Sequence, residues 1–176
     1  MVRGDAMQAE MAGRESGQGG TRRSALYTPA ERVRRDATVW TLVQGILAPV
    51  QFLIFAISLF LVVRYLATGQ GLALATGSVV VKTLALYTIM VTGAIWEKVV
   101  FGRYLFASAF YWEDMFSMVV IALHSAYVAA LLFDIGSDRT RLFVALAGYA
   151  AYVVNATQFI LKLRAARLDT ASMVAA

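Results

Sequence analysis

The chain has 176 residues, 60% of them hydrophobic and 15% charged, with a mean hydropathy of +0.66 and a formal net charge of +5. That balance excludes a water-soluble globular domain and describes an integral membrane protein. With no cysteine and a single histidine, His124, disulfides, thiolate metal sites and cysteine nucleophiles are ruled out, and no dedicated zinc or di-iron site is expected.

The first 25 residues, "MVRGDAMQAEMAGRESGQGGTRRSA", are polar and glycine-rich and lack the apolar core of a signal peptide. They read as a disordered tail, with the first membrane helix as an uncleaved insertion signal. The "GQGG" within them has neither a strand before it nor an apolar helix directly after it, so it is no phosphate loop. Next, "TPAE" (Thr28 to Glu31) supplies an N-cap threonine, a proline at the first helical position and a glutamate three residues past the cap, which predicts a short surface helix.

Four apolar runs follow, at about 40–66, 76–96, 112–133 and 142–163, each near the roughly 20 residues that cross a bilayer. Helices satisfy their own backbone hydrogen bonds in lipid, so the expected fold is all-α, an integral membrane four-helix bundle over 26–168 with a short tail at 169–176. Arg22, Arg23, Arg32, Arg34 and Arg35 precede the first span, Lys98 and Arg103 lie between spans two and three, and Lys162, Arg164 and Arg167 close the fourth. Only Arg64, Arg139 and Arg141 flank the other side, so the positive-inside rule predicts that both termini are cytoplasmic. The net charge is mostly this topology signal, which disfavours nucleic-acid binding. The connection "KVVFGRYLFASAFYW" is too apolar for a solvated loop and predicts an interfacial or re-entrant segment between spans two and three. Its aromatics, Phe101, Tyr104, Phe106, Phe110, Tyr111 and Trp112, suit the headgroup boundary.

Polar residues recur at helical spacing on every span. Gln44, Gln51 and Ser58 lie seven apart in the first, with Pro49 between them removing a hydrogen bond to the Gly45 carbonyl. Lys82, Gly93 and Glu97 share a face of the second; Glu113, Ser117, His124 and Tyr127 form a stripe on the third; Tyr152, Asn155, Gln158 and Lys162 form one on the fourth. Each has an ordinary structural explanation. The amides and Ser58 serve as interhelical hydrogen bonds, and Lys82 is close enough to the outer end of its helix to snorkel. Glu97 suits an ion pair with Lys98 or Arg103, and Glu113 with Asp114 complements a helix dipole. Together they predict more: Glu97 and Glu113 at one level, facing an interior that also receives Gln44, Asn155 and Gln158. Clustered carboxylates at membrane depth are equipment for general acid and base catalysis.

The stretches "YTPAERVRRDATVWTLVQGILAPVQF", "IWEKVVFGRYLF", "FYWEDMFSM" and "NATQFILKLRAARL" resemble the four-helix membrane hydratases of bacteriochlorophyll synthesis, the 2-vinyl bacteriochlorophyllide (chlorophyllide a 3-vinyl) hydratase family. The likeness spans about Tyr27 to Leu168. It implies a lyase that adds water across the 3-vinyl group of chlorophyllide a or 3-vinyl bacteriochlorophyllide a, giving the 3-(1-hydroxyethyl) chlorin. No cofactor is implied, magnesium being part of the substrate.

The catalytic candidates are Glu113 as proton donor and Glu97 or Asp114 as base, in assignments that can be exchanged. Substrate contacts are expected from Gln44, Gln51, Asn155 and Gln158, from Trp96 and Trp112 stacking on the ring, and from Arg103 and Lys162 facing the propionate. His124 is a candidate axial ligand to the substrate magnesium, or a histidine satisfied within the bundle. The expected partners are the chlorin, the lipid bilayer and other enzymes of the pathway, in the inner or intracytoplasmic photosynthetic membrane. The competing functions are a proton-coupled transporter, which needs its acid near the midplane, and a non-catalytic scaffold that hands chlorophyllide between enzymes without needing Glu113.

Overall fold

A computed structural model describes residues 26–174, with side chains described as far as Arg167; the expected disordered tail at 1–25 lies outside the described residues. Among these the chain forms five helices and no strand: α1 (Pro29–Ala37), α2 (Val39–Thr68), α3 (Leu72–Phe101), α4 (Tyr111–Leu132) and α5 (Asp138–Val174). Four of them, α2 to α5, are long and apolar enough to cross a membrane.

The "TPAE" motif folds as its chemistry dictates. Thr28 caps α1 with the reciprocal Thr28–Glu31 capping box, and Pro29 occupies the first turn. Arg34 then donates from Nε to the Val100 carbonyl at 2.8 Å, and Tyr27 stacks on Phe101 with ring centroids 5.7 Å apart. These contacts lay α1 against the end of α3.

Helix α2 carries Pro49 in its interior and stops at Gly69, whose φ of 71° forms a left-handed C-cap. A tight turn through Gly71 reverses the chain into α3, and the α2–α3 hairpin packs along its length, as does α4 with α5. The two hairpins meet along narrower seams, chiefly α3 against α4 and α2 against α5.

The interior follows a single rule. Buried positions recur every three or four residues: Gln51, Phe55, Ser58 and Val62 on α2, and Ala75, Val79, Lys82 and Leu86 on α3. Glu113, Ser117, Val120, His124 and Tyr127 continue the pattern on α4. Only 22% of the most apolar stretch of each long helix is buried. Leucines and phenylalanines such as Leu53, Phe60, Leu132 and Phe143 instead cover the outer surface. Such an inside-out distribution has lipid as its solvent. The polar stripes read from the sequence are therefore the core of the bundle.

Candidate active site

At one end of the bundle the start of α2, the end of α3, the start of α4 and the Asn155 to Lys162 stretch of α5 come together. The connection between α3 and α4, residues 102–110, folds back over them. It is not helical: Gly102 ends α3 at φ 81°, and Phe106 adopts a φ of 59°, a left-handed conformation that costs a non-glycine residue of order 1–3 kcal/mol.

Carboxylates explain that conformation. The Phe106 N–H donates to Asp114 Oδ2 at 2.7 Å, and the neighbouring Ala107 N–H donates to Glu97 Oε2 at 3.2 Å. A hydrogen bond to a carboxyl oxygen contributes about 0.5–3 kcal/mol, the upper end when the partner is charged, comparable to the strain at Phe106. The Glu97 and Asp114 carboxyl groups are also in hydrogen-bonding contact with each other, although both residues are buried, at 5% and 3% exposure. Two carboxyl groups hydrogen-bond to one another only by sharing a proton. The pair clasps the connecting segment through two backbone N–H groups, and two adjoining buried carboxyl groups are able to share a proton.

The sequence pairs Glu97 with Glu113 at a common level and sets Asp114 aside about 100 degrees away. The structure pairs Glu97 with Asp114, because the 102–110 segment packs over that flank and brings Asp114 indoors. Glu113 turns instead to α5, where its Oε2 lies 2.6 Å from Lys162 Nζ. Lys162 also stands over the Phe110 ring, 5.1 Å from its centroid. Lys162 thus joins the Glu113 carboxylate to the Phe110 ring. The expected ion pair of Glu97 with Lys98 or Arg103 is not formed; Lys98 Nζ donates to the Gly102 carbonyl.

An aromatic wall lies against the acids. Trp96 meets Phe101 and Phe110 edge-on at 5.7 and 5.6 Å, Phe110 stacks on Phe159 at 5.8 Å, and Trp96 Nε1 donates to Thr41 Oγ1. Trp112 takes no part, being 68% exposed on the outer face, and Arg103 is exposed on the connecting segment.

The remaining candidates line the interior at successive turns below the acids. Gln44 donates to Thr92 Oγ1 at 2.8 Å and lies beside Gly93, where an added Cβ would sit 3.7 Å from its Oε1. Asn155 donates to Ser117 Oγ at 2.8 Å, one turn from Glu113. Gln51 is buried, and Gln158 is half-buried. Lys82 does not snorkel: it is fully buried, with Nζ 3.8 Å from the Tyr152 ring centroid, because the stripe that carries it faces the bundle axis. His124 is also fully buried, bonded through Nδ1 to the Val120 carbonyl at 2.8 Å and packed against Gly148. Eleven residues of helix, roughly 16 Å, separate it from Glu113, so the structure does not bring His124 to the carboxylates. Among the described residues no cluster of three or more His, Asp or Glu side chains could hold a metal ion.

Sequence periodicity missed two relations: the Glu97–Asp114 pair and the Glu113–Lys162 bridge. The signal for the first was the nine-residue connection itself, whose buried N–H groups require acceptors. For the second it was the alignment of Glu113 and Lys162 on adjacent antiparallel helices.

The chain is 67% identical over 150 residues to the 2-vinyl bacteriochlorophyllide hydratase of Rhodobacter capsulatus, covering 85% of this chain and 87% of that protein. It is 67% identical over 144 residues to the protein of the same name from Cereibacter sphaeroides, covering 82% and 89% respectively. No solved structure matches it significantly. The family model for 2-vinyl bacteriochlorophyllide hydratase matches residues 27–165, from the tyrosine that anchors α1 to the last turns beyond Lys162, and the chain belongs to that family.

Proposed function

We propose that the protein is a membrane lyase that hydrates the 3-vinyl group of a chlorophyllide in bacteriochlorophyll synthesis, and that its carboxylate end is the catalytic centre. The family membership supports the reaction. The observation that supports the site is the coexistence of two differently placed sets of acids: a buried, adjoining Glu97–Asp114 pair bound to the connecting segment and an ion-paired Glu113.

Hydration that puts the hydroxyl on the inner vinyl carbon requires the terminal CH2 to gain a proton. The Glu97–Asp114 pair donates it: the C=C π bond breaks, a C–H bond forms at the terminal carbon, and the positive charge spreads into the macrocycle. Water then attacks the inner carbon, forming the C–O bond, and yields its proton to the Glu113 carboxylate. Return of that proton to the Glu97–Asp114 pair closes the cycle with one water consumed. This assignment reverses the roles suggested by sequence periodicity, where Glu113 is the donor. The chemistry draws on no redox cofactor, and magnesium enters only as part of the substrate.

Trp96, Phe101 and Phe110 supply an apolar, quadrupolar wall for the edge of the ring. Arg103, Lys98 and Arg164 offer charge to the propionate at the same end, and Lys162 joins them when Glu113 is neutralised. The excess of basic residues at this end supports a cytoplasmic position for it and for both termini under the positive-inside rule, with substrate entering from the cytoplasmic leaflet of the inner or intracytoplasmic membrane. Membranes carrying the protein and supplied with chlorophyllide a test the reading. The red absorption band moves to the blue as vinyl conjugation is lost, and the product is heavier by one water. Pigment that binds but stays unchanged would leave only a handover scaffold.

A further inference from the structure

Among the described residues, eight buried side-chain polar atoms have no hydrogen-bond partner. Two belong to Arg32 and Arg141 at the ends of the bundle. The other six belong to Gln51 (both amide atoms), Lys82, His124, Asn155 and Gln158. All five residues lie on the interior stripes, at successive levels of the bundle. Asn155 sits on the Ser117 hydroxyl one turn from Glu113, and Gln158 lies three residues from Asn155 toward Lys162. Deeper in the bundle, Lys82 Nζ covers the Tyr152 ring and His124 lies 5.7 Å from the Tyr149 ring. Phe55 touches both tyrosines, and Gln51 is one turn from Phe55 toward the carboxylates.

The hydrogen-bonding character of these atoms selects the ligand. The Val120 carbonyl can only accept, so His124 Nδ1 carries its hydrogen and Nε2 of the neutral ring is a bare acceptor. Asn155 Oδ1, Gln158 Oε1 and Gln51 Oε1 are acceptors as well, whereas Lys82 Nζ and Gln51 Nε2 are donors. An anion satisfies only the two donors, a cation only the acceptors, and an apolar molecule neither. Burying such groups unpaired costs roughly 1–3 kcal/mol each for the neutral ones and more for the ammonium. Water, which donates and accepts, matches the whole set and is the usual occupant of polar interiors.

We propose that a file of bound water runs through the bundle interior along Lys82, His124, Gln51, Asn155 and Gln158, and that it supplies the water consumed at the carboxylate end. The supply step rests on the reading of that end as the catalytic centre; the water file itself does not. A flat macrocycle seated against the acids closes them off from bulk solvent, and the interior file keeps a reactant within reach from the other side.

Radiolytic hydroxyl-radical labelling of the protein in native membranes tests the water file, because radicals formed from bound water mark side chains that bulk solvent does not reach. Tyr149 and Tyr152 are expected to label far faster than Phe110, which is as buried as Tyr149 but lies in the aromatic wall. Labelling no faster than that of Phe110 overturns the proposal without any variant. Gln51→Leu and Lys82→Met, checked for native helicity, should lose the tyrosine labelling and lower kcat while leaving KM for chlorophyllide unchanged. Lost labelling with undiminished kcat overturns the supply role. Glu113→Gln should lose turnover and keep the labelling, so failure of the catalytic reading and failure of the water file are read out separately.

Discussion

The two ends of the bundle use the same residue types to opposite effect. At the α4–α5 turn, Asp134 and Asp138 both pair with Arg141, at 3.0 and 2.7 Å, with side chains 90% and 45% exposed. Water and a shared guanidinium satisfy them, and such exposed pairs contribute little to stability, about 0–1 kcal/mol. At the other end three carboxylates are buried, and among the described residues the cation paired with them is Lys162. The remaining two, Glu97 and Asp114, have backbone N–H groups and each other. Charge satisfied by solvent is structural; charge deprived of it keeps protons in unusual places and can do chemistry.

Substitutions at the two ends should therefore separate sharply. The largest effect is expected from Glu97→Gln and Asp114→Asn. Each amide keeps a carbonyl oxygen to accept the Ala107 or Phe106 N–H, so the connecting segment stays in place while the shared proton is lost. Turnover should fall about 10²- to 10⁴-fold, the usual contribution of a positioned acid, with the helical content unchanged by circular dichroism. Glu113→Gln comes next, with a fall in kcat of about 10²-fold, at the lower end of that range. Lys162→Met should lower kcat less, because the carboxylate remains although its cation is gone. The smallest effects are expected outside the site. Asp138→Asn should shift unfolding stability by less than about 1 kcal/mol with full turnover. Trp112→Ala should leave kcat and KM unchanged, since its ring lies on the outer face. A large loss of turnover in Asp138→Asn would erase the contrast between the ends.

Much of this architecture is legible in the chain because lipid imposes simple rules. Length and apolarity mark the four long helices, the Thr28 to Glu31 motif marks the start of α1, and polar spacing of three and four identifies the interior stripes that hold Ser58, Lys82, His124 and Asn155. What a helical wheel lacks is the rest of the fold. Asp114 projects off the Glu113 stripe on an isolated helix, yet a connecting segment with a left-handed Phe106 covers it and turns it into the partner of Glu97. Lys82 is near enough to its helix end to snorkel, but the face it occupies decides its fate before its length can. Trp112 beside two acids has the composition of a site residue, and its position 100 degrees around the helix sends it to lipid.

The central claim is that the shared proton of Glu97 and Asp114 initiates the reaction. Single-turnover hydration of chlorophyllide a by wild-type, Glu97→Gln, Asp114→Asn and Glu113→Gln membranes, followed by the blue shift of the red band and by product mass, tests it most directly. Either amide in the pair is expected to slow hydration more completely than Glu113→Gln does. Full-rate hydration by folded Glu97→Gln and Asp114→Asn proteins would contradict it.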